Sequence, residues 1–240
     1  MVLKLYARKF VSGGTAIVAL VLAEKQIPFE LVEIDIQTNQ NKTPEYLALH
    51  PFGQIPCIDD DGFVLYESRA ICRYLCEKYP DQGAKELYPT GFKERALVEQ
   101  AASVESANFI PYVSRIFREL LFKPLEGQET DQSSVDEALA LLHKKLDAYE
   151  VILGKTKYLA GDVRVPSGTR YHSSCLSLEL QEFTLADLFH LYAAPRLTDL
   201  GVDVWSERGP NVRRWWDDIS TRPAWLKLRA EGVKGTTSTD

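Results

Sequence analysis

The chain has little cysteine, a single methionine and no long hydrophobic run. Its four cysteines lack the spacing of a disulfide framework, so we expect a reducing compartment and a cytoplasmic protein. The longest apolar run, residues 16–23, is far shorter than the roughly 20 residues of a membrane-spanning helix. It also lacks the N-terminal placement and the cleavage site of a secretory signal. The sequence therefore predicts no association with a membrane.

A basic surface is missing as well. Acidic residues outnumber basic ones by 34 to 28, and lysine and arginine form no cluster, so nucleic acid is not expected as a partner. Cys72 and Cys76 are spaced one helical turn apart, but no histidine or third cysteine completes a ligand set. We interpret them as small buried hydrophobic side chains and expect no metal cofactor.

The patterning that is present changes from mixed to helical along the chain. Apolar spacing and turn signals predict the order β-α-β-α-β-β-α over residues 1–83, followed by a linker rich in proline and glycine over residues 81–91. Residues 92–232 carry only helical patterning, so an α/β domain followed by an all-α domain is expected. The predicted strands are 2–7, 29–35, 57–59 and 63–66. The predicted helices are 15–25, 43–49, 68–79, 92–122, 135–153, 185–200, 210–221 and 224–230.

Short local signals set the ends of several of these elements. Thr43 is predicted to cap a helix that begins at a proline, and the sequence Asp60-Asp61-Gly62 predicts a tight hairpin turn. Thr184 and Asp187 have the spacing of a capping box, in which each end of the motif satisfies a backbone N–H of the other. The polar tail, residues 234–240, is predicted to be frayed.

Two segments of the first domain have the chemistry of a site for a small anionic peptide. The sequence Ser12-Gly13-Gly14-Thr15 would place a hydroxyl beside the positive end of the first helix, although it is also compatible with a simple turn and cap. Ser68 is predicted to be the N-cap of the helix over 68–79, where free N–H groups would attract a carboxylate. Glu67, just before it, could accept a hydrogen bond from an ammonium group.

The turn between these segments is Pro51-Phe52-Gly53-Gln54-Ile55-Pro56. A cis bond before Pro56 would turn the amide and carbonyl of Ile55 outward, where they could pair with another peptide. An ordinary trans-proline turn is the alternative.

The order and spacing of these motifs resemble those of the glutathione transferases, most closely the phi class and its fungal relatives. The segments that carry the resemblance are 41–47, 51–56, 67–71, 158–162 and 183–188. The resemblance implies a thioredoxin-like α/β N-terminal domain, an all-α C-terminal domain and usually a homodimer. It covers nearly the whole chain.

The resemblance also implies a role for individual residues toward glutathione, the expected co-substrate. Ser12 would activate the thiol, Gln54 and the Ile55 backbone would hold the cysteinyl part, Glu67 and Ser68 would hold the γ-glutamyl end, and Lys42 with Asn41 would face the glycyl carboxylate. Two departures from the family pattern are visible. The loop over residues 7–11 is about one residue longer than usual, and Asn41 stands where many relatives carry histidine.

A second, hydrophobic substrate is expected where the two domains face each other. Phe10 from the first loop and Asn108, Phe109 and Tyr112 from the predicted helix over 92–122 are the candidates, since the last three fall on one helical face. Phe109 and Tyr112 are equally compatible with a core position, and the spacing does not distinguish the two.

An unusual segment, residues 163–181, interrupts the family motif between Asp162 and Glu182. Removing it restores an uninterrupted motif, and its first codon (Val) and last codon (Gln) are compatible with intron borders. Two hypotheses remain open, a translated intron and a genuine surface loop. Cys175 belongs to this segment and is expected to have no function.

We therefore predict a detoxifying glutathione transferase (EC 2.5.1.18) that conjugates the glutathione thiolate to electrophilic, hydrophobic compounds. One alternative is a glutathione-binding regulatory or carrier protein with little catalysis. Another is a glutathione-dependent peroxidase or isomerase on the same fold.

Overall fold

The computed structural model describes residues 2–161, 182–206 and 208–236. The chain forms two compact units, one of residues 1–85 with 221–240 and one of residues 86–220. The predicted division kept residues 92–232 together. The structure instead groups the C-terminal helix with the first unit, because that helix packs on the first helix of the chain. The atypical segment 163–181 and the motif residue Asp162 lie outside the described residues.

The first unit is built around a four-stranded sheet with the predicted element order. The elements are β1 (Leu3–Ala7), α1 (Gly13–Glu24), β2 (Phe29–Glu33), α2 (Pro44–Leu49), β3 (Cys57–Asp60), β4 (Phe63–Tyr66) and α3 (Ser68–Lys78). The strand order in the sheet is β2-β1-β3-β4, with β1 and β2 parallel and the other pairs antiparallel. The predicted thioredoxin-like α/β fold of this domain is confirmed.

Apolar burial explains why α1 is the central helix of this unit. Its residues from Thr15 to Leu22 are all buried, which is typical of a helix covered on every side. Leu3, Leu5 and Ala7 of β1 are buried beneath it. The start of α1 is therefore held in place by the core of the domain.

The predicted local signals of the first unit are confirmed. The Thr43 hydroxyl accepts a hydrogen bond from the Tyr46 amide and caps α2. Asp61 and Gly62 both have positive φ, as a tight β3–β4 hairpin requires.

The second unit is helical, as predicted, but two of its predicted helices are divided, and α7 begins three residues earlier than predicted. They are α4 (Phe92–Asn108), α5 (Ile110–Phe117), α6 (Lys123–Leu125), α7 (Gln132–Leu153), α8 (Leu185–Leu188), α9 (Ala194–Asp199) and α10 (Pro210–Ser220). The single helix predicted over 92–122 is wrong, because it breaks at Phe109 ahead of Pro111. The helix predicted over 185–200 is also wrong as one element, and Pro195 lies at the start of its second piece. In both cases proline lacks the N–H that would continue the helix.

The C-terminal helix α11 (Pro223–Glu231) and the residues after it belong to the first unit. The prediction of a frayed tail is wrong for residues 234–236. The Thr236 amide donates to the Phe29 carbonyl at 2.9 Å, and the Phe29 amide donates to the Thr236 hydroxyl at 2.8 Å. The tail is thus tied to the start of the edge strand β2.

The predicted capping box at α8 is confirmed, and it is the polar centre of the helical unit. The fully buried Asp187 carboxylate accepts hydrogen bonds from the Thr184 amide at 3.1 Å, the Leu159 amide at 3.0 Å and the Trp215 indole N–H at 2.8 Å. Burial raises the pKa of this carboxyl group, and the donors around it oppose that rise. One side chain therefore joins three separated parts of the chain.

Replacing Asp187 with alanine is expected to destabilise the protein strongly. The substitution leaves three buried donors without an acceptor, each worth about 1–3 kcal/mol, so a loss of at least about 3 kcal/mol is expected. The matched control is Asp131→Ala, which removes the exposed carboxylate that caps α7 and should cost only about 1 kcal/mol. Urea unfolding followed by tryptophan fluorescence measures both, and equal losses would contradict the assignment.

Candidate functional site

Three predicted motifs of the first unit meet at Gly14. A Cβ atom on this residue would lie 2.9 Å from both the Cβ and the Oγ of Ser68, and 3.0 Å from the Cδ of Pro56. These distances are shorter than van der Waals contact, so only glycine allows so close an approach. The starts of α1 and α3 and the turn at Pro56 therefore form one site.

Ser12 occupies the N-cap position of α1 but does not act as a side-chain cap. Its backbone is extended, with φ −154° and ψ 151°, and its hydroxyl makes no capping hydrogen bond. Its carbonyl accepts from the Ala16 amide at 3.2 Å, which closes the first turn. The capping alternative is therefore not what the structure shows, and the hydroxyl lies at the positive end of the helix dipole.

The Ile55–Pro56 peptide bond is cis, which decides between the two alternatives that the sequence leaves open. Within the described part of the chain, neither the N–H nor the C=O of Ile55 takes part in a backbone hydrogen bond. Gln54 is exposed, and its carbonyl accepts a hydrogen bond from the Tyr46 hydroxyl at 2.7 Å. Burial raises the pKa of Tyr46, which keeps that hydroxyl protonated as a donor. The turn thus presents an Ile55 backbone that is able to pair with a peptide.

Asn41 and Lys42 lie on a short 3-10 helix beside the same turn. The Asn41 side-chain amide donates to the Gly53 carbonyl at 2.7 Å, and the Lys42 ammonium donates to the same oxygen at 3.0 Å and to the Phe52 carbonyl at 2.9 Å. The structure therefore brings both residues to the predicted site. A ligand carboxylate would compete with these carbonyls for the exposed Lys42.

The start of α3 differs from the prediction. Ser68 was predicted to be the N-cap, which is wrong, because Ser68 is the first helical residue and Glu67 occupies the N-cap position. Glu67 has φ +69°, a conformation that costs a non-glycine residue about 1–3 kcal/mol. It is exposed and makes no side-chain capping bond. Both side chains are left available at a helix N-terminus.

The four residues predicted to contact a hydrophobic substrate have different environments. Phe10 is 48% exposed in the loop between β1 and α1. Asn108 and Tyr112 are half-buried near the break between α4 and α5. Phe109 is fully buried, with its ring centroid 4.7 Å from that of His190 and 6.3 Å from that of Trp205. For Phe109 the core alternative describes the structure.

Two aromatic residues that support the site were missed by the sequence analysis. Tyr46 holds the Gln54 carbonyl, and His50 stacks on Tyr66 with centroids 4.6 Å apart, directly before the Pro51–Pro56 turn. Burial lowers the pKa of His50. The only sequence signal for either residue was its position next to a motif, because their contacts are made across the fold.

The three cysteines that the structure describes are buried free thiols, as predicted for Cys72 and Cys76. Burial raises the pKa of Cys76 to about 12 and also raises the pKa values of Cys57 and Cys72, so these thiols are poor nucleophiles. Among the described residues, no three histidine, cysteine or acidic side chains are grouped as a metal site. In the same part of the chain, no helix is long and apolar enough to cross a membrane.

Comparisons with known proteins agree with this architecture. The family model described as glutathione S-transferase, N-terminal domain, matches residues 15–78. Glutathione S-transferase F13 of Arabidopsis thaliana is 38% identical over 229 residues, which cover 95% of this chain and 95% of that protein. Glutathione transferase F7 from Populus trichocarpa is 38% identical, with a TM-score of 0.82, and the match covers 97% of this chain and 100% of that structure.

A further solved structure is glutathione S-transferase I from mais in complex with an atrazine glutathione conjugate. It is 32% identical, with a TM-score of 0.75, and the match covers 96% of this chain and 97% of that structure.

A thioredoxin-like domain followed by a helical domain, with two helix N-termini and a cis-proline turn meeting at Gly14, is the architecture of a glutathione-dependent transferase. The chain belongs to the glutathione transferase family and is similar to its phi-class members. As such it is a transferase (EC 2.5.1.18) that conjugates glutathione to electrophilic compounds.

The contact at Gly14 provides a test of the site's geometry. Gly14→Ala would place its methyl group against Ser68 and Pro56, so we expect glutathione affinity to fall at least tenfold, about 1.4 kcal/mol. Gly13→Ala is the matched control, since a Cβ there meets nothing within 4 Å. Its positive φ should lower stability by about 1 kcal/mol with a smaller effect on binding. Titration calorimetry with glutathione measures the difference, and equal affinities would contradict the assignment.

Proposed function

We propose that the Ser12 hydroxyl donates a hydrogen bond to the sulfur of bound glutathione and stabilises its thiolate. The observation that supports this role is the Ser12 side chain itself, which makes no cap at the positive end of α1, two residues from the contact of Gly14 with Ser68. A thiolate placed there would meet a donor and a favourable helix dipole together.

The energies of this arrangement are of the required size. A free thiol has a pKa near 8.5, so only a few per cent is thiolate at neutral pH. Lowering that pKa by about two units requires roughly 2.7 kcal/mol of preferential stabilisation of the anion. One hydrogen bond to a charged group supplies about 1.5–3 kcal/mol. Ser12 is therefore sufficient as a donor and does not need to act as a base.

The remaining proposed contacts follow the charges of the tripeptide. The outward Ile55 backbone and Gln54 hold its cysteinyl part, while Glu67 and Ser68 bind the ammonium and carboxylate of the γ-glutamyl end. Lys42 and Asn41 bind the glycyl carboxylate in place of the carbonyls that they contact in this structure. Two observations support this arrangement. The Asn41 side chain donates a hydrogen bond to the Gly53 carbonyl, and Ser68 and Pro56 both lie against Gly14.

The second substrate that we propose is a hydrophobic electrophile with a leaving group, such as an aromatic halide. The carbon–sulfur bond forms as the halide leaves with the bonding electron pair. The mais relative was solved in complex with an atrazine glutathione conjugate, so a relative of this chain holds glutathione joined to a second compound. Phe10, Asn108 and Tyr112 remain the proposed contacts of the electrophile, since all three side chains are at least partly exposed. Phe109 is not proposed, because it is fully buried.

We also propose a cytoplasmic homodimer. Both units carry exposed aromatic side chains, with Phe52 66% exposed in the first and Phe92 94% exposed in the second. Large exposed apolar groups of this kind favour association. Light scattering coupled to size-exclusion chromatography should give twice the 27.1 kDa mass of one chain. A single-chain mass at micromolar concentration would contradict the dimer.

Ser12→Ala is expected to separate binding from thiol activation. The variant should bind glutathione with an affinity close to that of the wild type, while the pKa of the bound thiol rises by about one to two units. Conjugation of an aromatic chloride near neutral pH should fall by about 10- to 100-fold. The thiolate absorbance of the complex, followed as a function of pH, gives the pKa directly.

The matched variant for this test is Ser12→Thr, which retains a hydroxyl and should keep part of the pKa shift. Turnover by Ser12→Ala at the wild-type rate would contradict the assignment of Ser12 and leave glutathione binding itself unaffected.

A further inference from the structure

The loop that carries Ser12 is held by backbone at both ends. Before the loop, the Ala7 carbonyl accepts from the Ile34 amide at 2.9 Å, and after it the Ser12 carbonyl accepts from the Ala16 amide. Residues 8–11 between these points are in neither a strand nor a helix. The position of Ser12 therefore depends on whatever holds the middle of the loop.

The middle of the loop is tied to the C-terminal segment. The Lys9 carbonyl accepts a hydrogen bond from the Val233 amide at 2.8 Å. Among the backbone hydrogen bonds of the described residues, this one alone involves residues 8–11. The Lys9 side chain also forms an ion pair with Glu33, but both groups are exposed and such pairs contribute little. The Val233 N–H is thus a buried backbone anchor for the middle of the loop.

The segment that supplies this donor, Gly232–Thr236, is itself fixed at both ends. Gly232 ends α11 with φ +76°, and Val233 is only 1% exposed. Thr236 forms three hydrogen bonds with Phe29 at the start of β2, two through its hydroxyl and one through its amide. A pocket of about 560 Å³ lies between this segment, α11 and α1. Gly235 lies close against β2, since a Cβ there would be 3.0 Å from the Leu31 amide nitrogen.

The helix before the segment is attached to the other end of α1. The Arg222 guanidinium forms two hydrogen bonds with the Glu24 carboxylate, at 2.7 and 2.9 Å, in the bidentate geometry that gives strong, directional pairing. The indole of Trp225, on the same helix, is buried. The C-terminal part of the chain therefore forms hydrogen bonds with the last turn of α1. It also forms one with the loop that leads into the first turn of α1.

We propose that Gly232–Thr236 is a positioning segment for thiol activation, with the Val233 N–H as the donor that holds the Ser12 loop in register. The proposal rests on the proposed role of Ser12. The contacts at Gly14 leave no free space on the side of α1 that faces Ser68 and Pro56, and a displacement of about 1 Å at a catalytic group is able to lower a rate by up to about 100-fold. Val233 acts through the loop and does not touch the substrate.

Val233→Pro tests the proposal because it removes the N–H and retains an apolar side chain. We expect the bound thiol pKa to rise in the same direction as in Ser12→Ala, and kcat below that pKa to fall about tenfold. KM for glutathione should change much less, since the groups that bind the two ends of the tripeptide lie on other loops. The conservative variant Val233→Ala retains the N–H and should show the wild-type pKa of the bound thiol.

A second pair of variants keeps the test decisive if Val233→Pro is poorly folded. Thr236→Val removes the hydroxyl that accepts from Phe29, and Thr236→Ser retains it. The valine variant should show a smaller rise of the thiol pKa than Val233→Pro, and the serine variant none. Equal thermal midpoints within this pair would show that the difference comes from positioning and not from global stability.

The double variant Ser12→Ala/Val233→Pro distinguishes this inference from the function on which it rests. If the segment acts through Ser12, the double variant has the thiol pKa of Ser12→Ala alone. A wild-type pKa in Val233→Pro, together with a raised pKa in Ser12→Ala, would overturn the positioning role only. A wild-type pKa in Ser12→Ala would overturn the role of Ser12 itself.

Discussion

The close approach of three backbone segments at Gly14 is the constraint on which the rest of the site depends. Ser68 and Pro56 would lie within about 3 Å of any side chain there, so the starts of two helices and a cis-proline turn share one small volume. Helix N-termini and outward peptide groups bind anions and peptides because their donors have no partner within the element. Bringing them together gives the proposed site a polarity that comes mainly from backbone, and Ser12, Lys42 and Glu67 are the side chains proposed to add selectivity.

Much of this arrangement could be predicted from sequence because its determinants are local. The Thr43 cap, the Asp61-Gly62 hairpin and the Thr184 capping box each depend on residues that are close in the chain, and all three are present. The element order of the first unit follows from the same kind of signal. The two helices predicted over 92–122 and 185–200 were too long because periodicity continues through Pro111 and Pro195, where the helical hydrogen bonding does not.

The contacts that could not be predicted from the sequence join residues that are far apart in the chain. The hydrogen bond between Phe29 and Thr236 joins residues 207 positions apart, and no sequence pattern near either residue predicts it. The hydrogen bonds from Tyr46 to the Gln54 carbonyl and from Arg222 to Glu24 were not predicted either. Neither donor belongs to a residue pattern that indicates its partner. Ser68 has the residue type of an N-cap, yet Glu67 takes that position in a strained conformation. Tertiary contacts decided each of these positions over local preference.

The chemistry sets a limit on what the site must do. A hydroxyl that donates to sulfur lowers the free energy of an anion that water already stabilises, so its advantage comes from being held in place before the thiol arrives. That requirement is met by rigidity around Ser12 more than by additional charge. A mobile serine would lose much of its benefit to the entropy of ordering it, which is about 1–2 kcal/mol for one backbone residue and comparable to the hydrogen bond itself. In the proposed mechanism, the close packing at Gly14 and the hydrogen bond of Val233 to the loop before α1 remove that loss during folding.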